Sequence, residues 1–327
     1  MQTIALGTSG RATTRLGFGC SSLMGSLGRR ESLAVLEAAY DAGLRHFDVA
    51  PMYGYGQAEE CLGEFLARHK GELTVTTKFG IPPEEAMSLK AMVRGLARPV
   101  LKLLPGLKKK LQGAVSAASA PAPKLDFSIE KARASLERSL AALRVERIDV
   151  WLLHEVEACD LTDDRLLRLM EDMVAAGRIG TFGVGSGAAK IPSLVAEKPE
   201  YCPVLQFEWS VMDGPVASGE FRIHHGALSE NVRALDEALR SDPTRCRRWK
   251  QYCDADVADA GVLAKLMLKA SLVCNPESVI LFSSKRPQNI QDNVALVDDS
   301  SLDDAALKFY SLVRAEVVET SPTGVLV

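Results

Sequence analysis

Apolar and polar positions along the chain alternate between two periods. Short runs rich in β-branched and apolar residues recur: RLGFGCS from Arg15, HFDVA from His46, LTVTTKFG from Leu73, IDVWLLHE from Ile148, IGTFGVGS from Ile179, VLQFEW from Val204, RIHHGA from Arg222 and SVILFSS from Ser278. Between them lie stretches such as RESLAVLEAAYDAG, AEECLGEFLARH, SIEKARASLERSLAAL and TDDRLLRLMEDMVAAG, with apolar residues at i, i+3, i+4 and i+7. The first pattern predicts strands buried on both faces and the second predicts amphipathic helices. Ser128 and Thr162 stand where helices should be capped, and Gly43 and Gly177 where they should end. Eight strands with intervening helices favour a closed (β/α)8 TIM barrel over an open sheet, as one domain spanning residues 1–327. Ahead of the first barrel strand, QTIALGTSGRATTRLGFG sets a Gly-Thr-Ser-Gly turn between two extended runs, which predicts an N-terminal β-hairpin outside the main sheet.

One stretch breaks the rhythm. After strand 3 of the barrel, residues 81–127 replace a connection that needs only a handful of residues. This long insertion carries Lys90, Arg94, Arg98, Lys102, Lys108, Lys109, Lys110 and Lys124 against Glu84, Glu85 and Asp126, and it includes the linker-like SAASAPAP. A second long polar stretch, HHGALSENVRALDEALRSDPTRCRRWKQYCDADV, reads as an extended loop after strand 7. The barrel rule places the insertion 81–127 on the catalytic face, where it is a solvated excursion, a substrate lid or a membrane-surface attachment.

Composition removes several function classes. With 39 basic and 42 acidic residues the formal charge is −3, so no global footprint for nucleic acid exists and any anionic ligand must meet a local site. The seven cysteines form no C-x-x-C pair, which predicts free thiols in a reducing compartment and gives no support for a metal. The first twenty residues lack the apolar core of a signal peptide, and no apolar run of membrane-spanning length occurs. These features predict a cytoplasmic protein without integral membrane association, and they specify no oligomeric state.

In a parallel barrel the reactive side chains stand at the carboxyl ends of the strands. Asp48 ends strand 2, Tyr53 follows it in the loop APMYGYGQAEE, Lys78 ends strand 3 and His154 ends strand 4. Neighbouring strands are roughly 5 Å apart, so these four side chains can converge. Singly, they have ordinary structural explanations: a turn cap for the aspartate, packing for the loop tyrosine, a solvated lysine. Together they form a set suited to carbonyl reduction. A tyrosine can donate the proton, a nearby Lys78 can bring its pKa down towards use, Asp48 can hold Lys78 in a buried ion pair, and His154 can donate to the carbonyl oxygen. Downstream, FSSKRPQNIQDNVAL begins a helix whose backbone N–H groups can cradle phosphate. Two tempting motifs carry little: GVGSG lacks the third spaced glycine of a dinucleotide fingerprint, and HEVEA lacks the second histidine of a zinc-protease helix.

The stretches GLRHFDVAPMYGYGQAEECLGEFL, TTKFG, LERSLAALRVERIDVWLLHE, GRIGTFGVGSG and VLQFEW resemble the signatures of the aldo-keto reductase family, over nearly the whole chain apart from the insertion. That resemblance implies catalytic roles for Asp48, Tyr53, Lys78 and His154, and NADP(H) as cofactor with NAD(H) as the alternative. It implies that Ser186 and Gln206 hold the nicotinamide carboxamide. Gly187 stands where the family commonly has an asparagine, and His225 where an aromatic ring usually stacks on the nicotinamide. Ser283, Ser284, Lys285 and Arg286 fall at the phosphate-binding positions and Asn293 at an adenine-contacting one, while Asn289 replaces a common arginine. The implied activity is interconversion of an aldehyde, ketone or sugar hemiacetal with its reduced or oxidised partner. The alternative is a redox-sensing, cofactor-binding regulatory subunit resembling potassium-channel β subunits, which the basic insertion favours. Met52 and Trp209 are candidate pocket walls, with barrel packing the other reading for Trp209.

Overall fold

Eight short runs with apolar or β-branched side chains on both faces need cover on both faces, and in the computed structural model they obtain it by closing on themselves. The model describes residues 1–69, 71–82, 125–162, 164–216, 219–228 and 230–318. The barrel strands are β3 (Leu16–Gly19), β4 (His46–Asp48), β5 (Thr74–Phe79), β6 (Ile148–His154), β7 (Ile179–Gly185), β8 (Val204–Glu208), β9 (Phe221–His225) and β10 (Ser278–Phe282). They are hydrogen-bonded in parallel in chain order, and β10 closes the ring against β3.

Preceding the barrel, β1 (Thr3–Ala5) and β2 (Ala12–Thr14) pair antiparallel as the expected hairpin. The hairpin delivers Leu6, fully buried, into the barrel interior with Val150, Leu152, Val204, Ile223, Val279 and Leu281. One end of the barrel is thereby plugged with aliphatic side chains, which leaves the carboxyl ends of the strands as the face on which a site can open.

Helices cover the outside. Helix Arg165–Ala175 buries Leu166, Leu169 and Met170 at the i, i+3, i+4 spacing that produced its prediction. Gly43 and Gly177 adopt positive φ at helix ends, as expected. The N-terminal caps differ from expectation. Ser128 occupies the cap position but its hydroxyl makes no capping bond; its own N–H donates to Asp126 Oδ1 at 3.0 Å. Asp164, not Thr162, immediately precedes helix Arg165–Ala175.

The polar stretch after β9 is not a loop. It forms helices Glu230–Ser241 and Pro243–Cys253, which bury Leu235, Leu239, Trp249 and Cys253 against helices Ala260–Cys274 and Asp303–Val313. Pro243 starts the second helix, and the Asp242 carboxylate accepts from the Thr244 and Arg245 N–H groups. A few apolar anchors among many charges suffice for a helix that lies on other helices rather than on the barrel.

Most of the insertion 81–127, including every lysine and arginine that motivated the regulatory alternative, lies outside the described residues. Its two ends are described, and they meet: Asp126 N–H donates to the Gly80 carbonyl at 3.0 Å, and the Phe127 ring packs edge-on to Phe79. The excursion therefore leaves and returns at the carboxyl end of β5. No helix among the described residues is long and apolar enough to cross a membrane.

Candidate active site

Asp48 and Lys78 are brought together because Asp48 closes β4 and Lys78 is the penultimate residue of the adjacent β5. Both are almost fully buried, and Lys78 Nζ lies 2.6 Å from Asp48 Oδ1. Two charges withdrawn from water need further hydrogen bonds to be tolerated. Lys78 obtains one from the Val49 carbonyl at 3.1 Å, and the second Asp48 oxygen accepts from Gln206 Nε2 at 2.6 Å. Burial opposes the Lys78 charge, but the attraction of Asp48 and its hydrogen bond prevail and hold the pKa above the ordinary value.

Tyr53 is placed by the turn after β4. Its N–H donates to the Ala50 carbonyl at 3.0 Å, and the next two residues, Gly54 and Tyr55, take left-handed φ of 58°. Gly54 packs against the Leu23 carbonyl and Met24 Cβ, so no side chain fits there; this is the physical reason for glycine after the tyrosine. The turn lays the Tyr53 ring 5.4 Å from Lys78 Nζ and 6.4 Å from the His154 ring, edge to face.

The electrostatics differ from the sequence expectation in one respect. Lys78 does pull the Tyr53 pKa down and is the largest influence, but burial, Asp48 and Cys20 together outweigh it, and the net shift is upward. The phenol is thus protonated at neutral pH. His154 is depressed to about 3, by burial first and by the Lys78 charge second, and is a neutral imidazole. The cluster holds one ammonium, one carboxylate, one phenol and one neutral imidazole.

These groups line a cleft of about 380 Å3 together with Ser186, Gln206, His225 and Ser283. The His225 pKa is also lowered, burial being the first cause. The Ser186 hydroxyl donates to the Val156 carbonyl at 2.8 Å, and since the Gln206 amide nitrogen is committed to Asp48, its oxygen remains to accept a bond. A second cleft of about 390 Å3 shares Ser21 and Tyr53 with the first and is bordered by Gly25, Ser26, Met52, Gly54 and Tyr55.

Not every candidate reaches the cleft. Ser284, Lys285 and Arg286 continue outward from Ser283; Lys285 and Arg286 are exposed, and neither pairs with a carboxylate among the described residues. The Ser284 hydroxyl is engaged locally, accepting from the Arg286 N–H at 3.2 Å. Asn293 sits half-buried within helix Pro287–Asp298 and does not line the cleft. Trp209 is a packing residue: it is buried, its Nε1 donates to the Gly214 carbonyl at 3.0 Å, and its ring contacts His224 and Tyr310.

Sequence reasoning missed Glu155 and Cys20 as lining residues. Strand alternation puts Glu155 on the opposite face from His154, yet its φ is +59°, and this left-handed turn ends the strand and admits the side chain to the cleft. Such a conformation costs a non-glycine residue on the order of 1 kcal/mol. The single readable signal was an ionisable residue directly after the histidine. No group of three potential metal ligands occurs among the described residues.

An eight-stranded parallel barrel whose open face carries a tyrosine beside a buried lysine–aspartate pair defines a class of oxidoreductase. The chain belongs to the aldo/keto reductase family, whose sequence profile matches residues 15–225. It is 26% identical to pyridoxal 4-dehydrogenase of Microbacterium luteolum over 344 aligned positions, covering 95% of this chain and 96% of that protein. It is 31% identical to D-threo-aldose 1-dehydrogenase of a Pseudomonas species over 193 positions, 56% of this chain and 53% of the relative. Among solved structures, the glycerol dehydrogenase of Gluconobacter oxydans matches with a TM-score of 0.66 at 19% identity, covering 98% of both chains. An aldo-keto reductase of Klebsiella pneumoniae solved with NADPH matches with a TM-score of 0.61 at 16% identity, over 95% of this chain and 96% of that one.

Proposed function

We propose that this chain is an NADP(H)-dependent oxidoreductase that interconverts a carbonyl compound, an aldehyde, ketone or sugar hemiacetal, with its reduced or oxidised partner. The observation that carries the reading is the convergence of Tyr53, His154 and the buried Lys78–Asp48 pair in one cleft. The relatives whose names specify pyridoxal and an aldose as substrates support the carbonyl and sugar chemistry.

The residues present fit the cofactor. The Gln206 oxygen and the Ser186 hydroxyl offer polar contacts on the cleft wall, His225 offers a ring at its edge, and Ser283 leads to Lys285 and Arg286, exposed cations unpaired among the described residues, at the start of helix Pro287–Asp298. A helix start of this kind presents N–H groups without intrahelical partners, which suits phosphate. The nicotinamide, when bound, supplies the hydride that reduces the carbonyl carbon.

The remaining work belongs to the chain. Tyr53, protonated at neutral pH, gives its proton to the oxygen as that atom gains charge, and takes it back in the oxidative direction. Lys78 offsets the phenolate that forms, and Asp48 with the Val49 carbonyl keeps Lys78 charged and aimed. Neutral His154 donates a hydrogen bond to the same oxygen and orients it.

Tyr53→Phe tests this. The ring is preserved, so NADPH affinity measured by fluorescence quenching should persist, while the single-turnover rate of carbonyl reduction should fall on the order of 10²- to 10⁴-fold. A variant that keeps more than about a tenth of the wild-type chemical rate removes Tyr53 from the role of acid.

A further inference from the structure

We propose that Glu155 determines which carbonyl compounds this site accepts, holding the hydroxyl groups of a neutral polyhydroxylated substrate and excluding its phosphate esters. The proposal rests on the reading of the cleft as a carbonyl-reducing site and adds the class of substrate.

Glu155 follows His154 directly and lines the same cleft as Tyr53. Its left-handed backbone is held on two sides: the N–H donates to the Gly185 carbonyl at 2.7 Å, and the carbonyl accepts from Lys190 Nζ at 3.2 Å. A strained residue fixed at the mouth of a reactive cleft is a candidate for function rather than packing. Only one of its carboxylate oxygens, Oε2, faces a partner, Lys190 Nζ at 3.4 Å, and that ammonium is shared with Glu157 Oε1 at 3.2 Å. No hydrogen bond occupies Oε1 among the described residues, and with the side chain 44% exposed this oxygen is open to a ligand. A carboxylate acceptor forms charge-assisted bonds with hydroxyl donors, which an apolar aldehyde cannot supply.

The surroundings decide the charge of the substrate. Among the described residues, Glu155, Glu157 and Glu208, which ends β8, set three carboxylates on this rim against the single ammonium of Lys190. Lys78, the cation within the cleft, is neutralised by Asp48. A phosphate near Glu155 would therefore meet net repulsion. Lys285 and Arg286, without carboxylate partners among the described residues, follow β10, and in the barrel order β10 lies diametrically across from β6, which Glu155 directly follows. The mouth is divided into a side for phosphate and a side for neutral hydroxyls.

The test compares kcat/KM for glyceraldehyde, propanal and glyceraldehyde 3-phosphate in the wild type, Glu155→Gln, Glu155→Leu and Glu155→Gly. The wild type should prefer glyceraldehyde to both others, and Glu155→Leu should shrink its preference over propanal about tenfold or more, as loss of charged hydrogen bonds requires. Glu155→Gln, still an acceptor but uncharged, should restore part of that preference and admit the phosphate ester. Glu155→Gly relieves the left-handed backbone, so loss of the preference with an undiminished melting temperature separates recognition from folding. A glyceraldehyde-to-propanal ratio that stays within about twofold of wild type in the Leu variant overturns the proposal. Should the wild type reduce none of the three, the carbonyl-reduction reading fails separately. Calorimetric titration of xylitol into protein with NADP+ then decides: weaker binding by Glu155→Leu supports the role of Glu155, and equal or absent binding in both proteins overturns it.

Discussion

His46 shows how one residue ties the site to the stability of the fold. It opens the strand that Asp48 closes, is fully buried, and sits with its two ring nitrogens 3.0 Å from Thr74 Oγ1 and 3.2 Å from Thr76 Oγ1. Burial, aided by Lys78 and opposed by Asp48, pushes its pKa down to about 4 from an ordinary 6.5. Below pH 6.5 the unfolded chain takes up a proton that the folded chain refuses, so stability is full above that pH and declines as the pH falls towards 4. The loss from this residue by pH 4 is on the order of 3 kcal/mol. His154, depressed to about 3, adds to the same trend. Urea unfolding midpoints should therefore fall between pH 6.5 and 4, and His46→Gln, which keeps polar contact with the two threonines, should flatten the slope. An identical slope in that variant would show that carboxylates alone cause the acid sensitivity. At this scale the sequence named four candidate side chains that the fold brings to one cleft, because a residue type at or just after a strand end is readable. It could not give the direction of the Tyr53 shift, which is a sum of burial and three neighbouring groups fixed only by folding.

Helix contacts explain features that a pattern shows without explaining. Leu62 and Gly63 lie within helix Ala58–Leu66. A Cβ on Gly63 would fall inside the contact distance of the Ala142 carbonyl oxygen and close to the Leu143 backbone, so glycine there permits close approach to helix Ile129–Leu143. Gly63→Ala raises helix propensity and, for an isolated helix, would stabilise by roughly 1 kcal/mol. In this fold the clash is with backbone, and the expected outcome is a net loss of about 1 to 3 kcal/mol, read as a lower melting temperature. A melting temperature at or above wild type would mean that the two helices can separate without cost. The hydrophobic period identified the helices that lie on the barrel, since a wide apolar stripe is needed against a sheet. It failed for residues 230–253, where Leu235, Leu239, Trp249 and Cys253 are sparse anchors in a charged segment and the burying partner is another pair of helices.

Charge is where the whole molecule matters. A net formal charge of −3 offers an anionic cofactor no general attraction, so the proposed binding relies on local cations such as those after β10. Lys285 and Arg286 are both exposed and without carboxylate partners among the described residues. Replacing both by alanine should weaken NADP(H) about tenfold or more while changing NAD(H) much less, because only the former carries the 2′-phosphate. Titration of both cofactors at fixed salt measures this, and equal weakening of the two would move the contact to the shared pyrophosphate. Where the basic insertion begins and ends, the Asp126 N–H donates to the Gly80 carbonyl, and β5 and β6 pair in parallel from Thr76 with Val150 to Phe79 with Leu153.

What the sequence determined by itself was set by local rules: two hydrophobic periods gave eight strands and the helices upon them, and the turn chemistry of GTSG gave the hairpin. Position at the strand ends gave Asp48, Lys78 and His154, and the loop that follows β4 gave Tyr53. Tertiary structure alone decided the remainder, because each item depends on partners distant in the chain. Gln206 bonds to Asp48 across 158 residues, Leu6 packs in the barrel with Val150 and Val279 from far along the chain, and the Trp209 ring meets Tyr310. Glu155 enters the site by a backbone conformation that its residue type disfavours, and only the hydrogen bonds from its own N–H to Gly185 and from Lys190 to its carbonyl make that conformation hold.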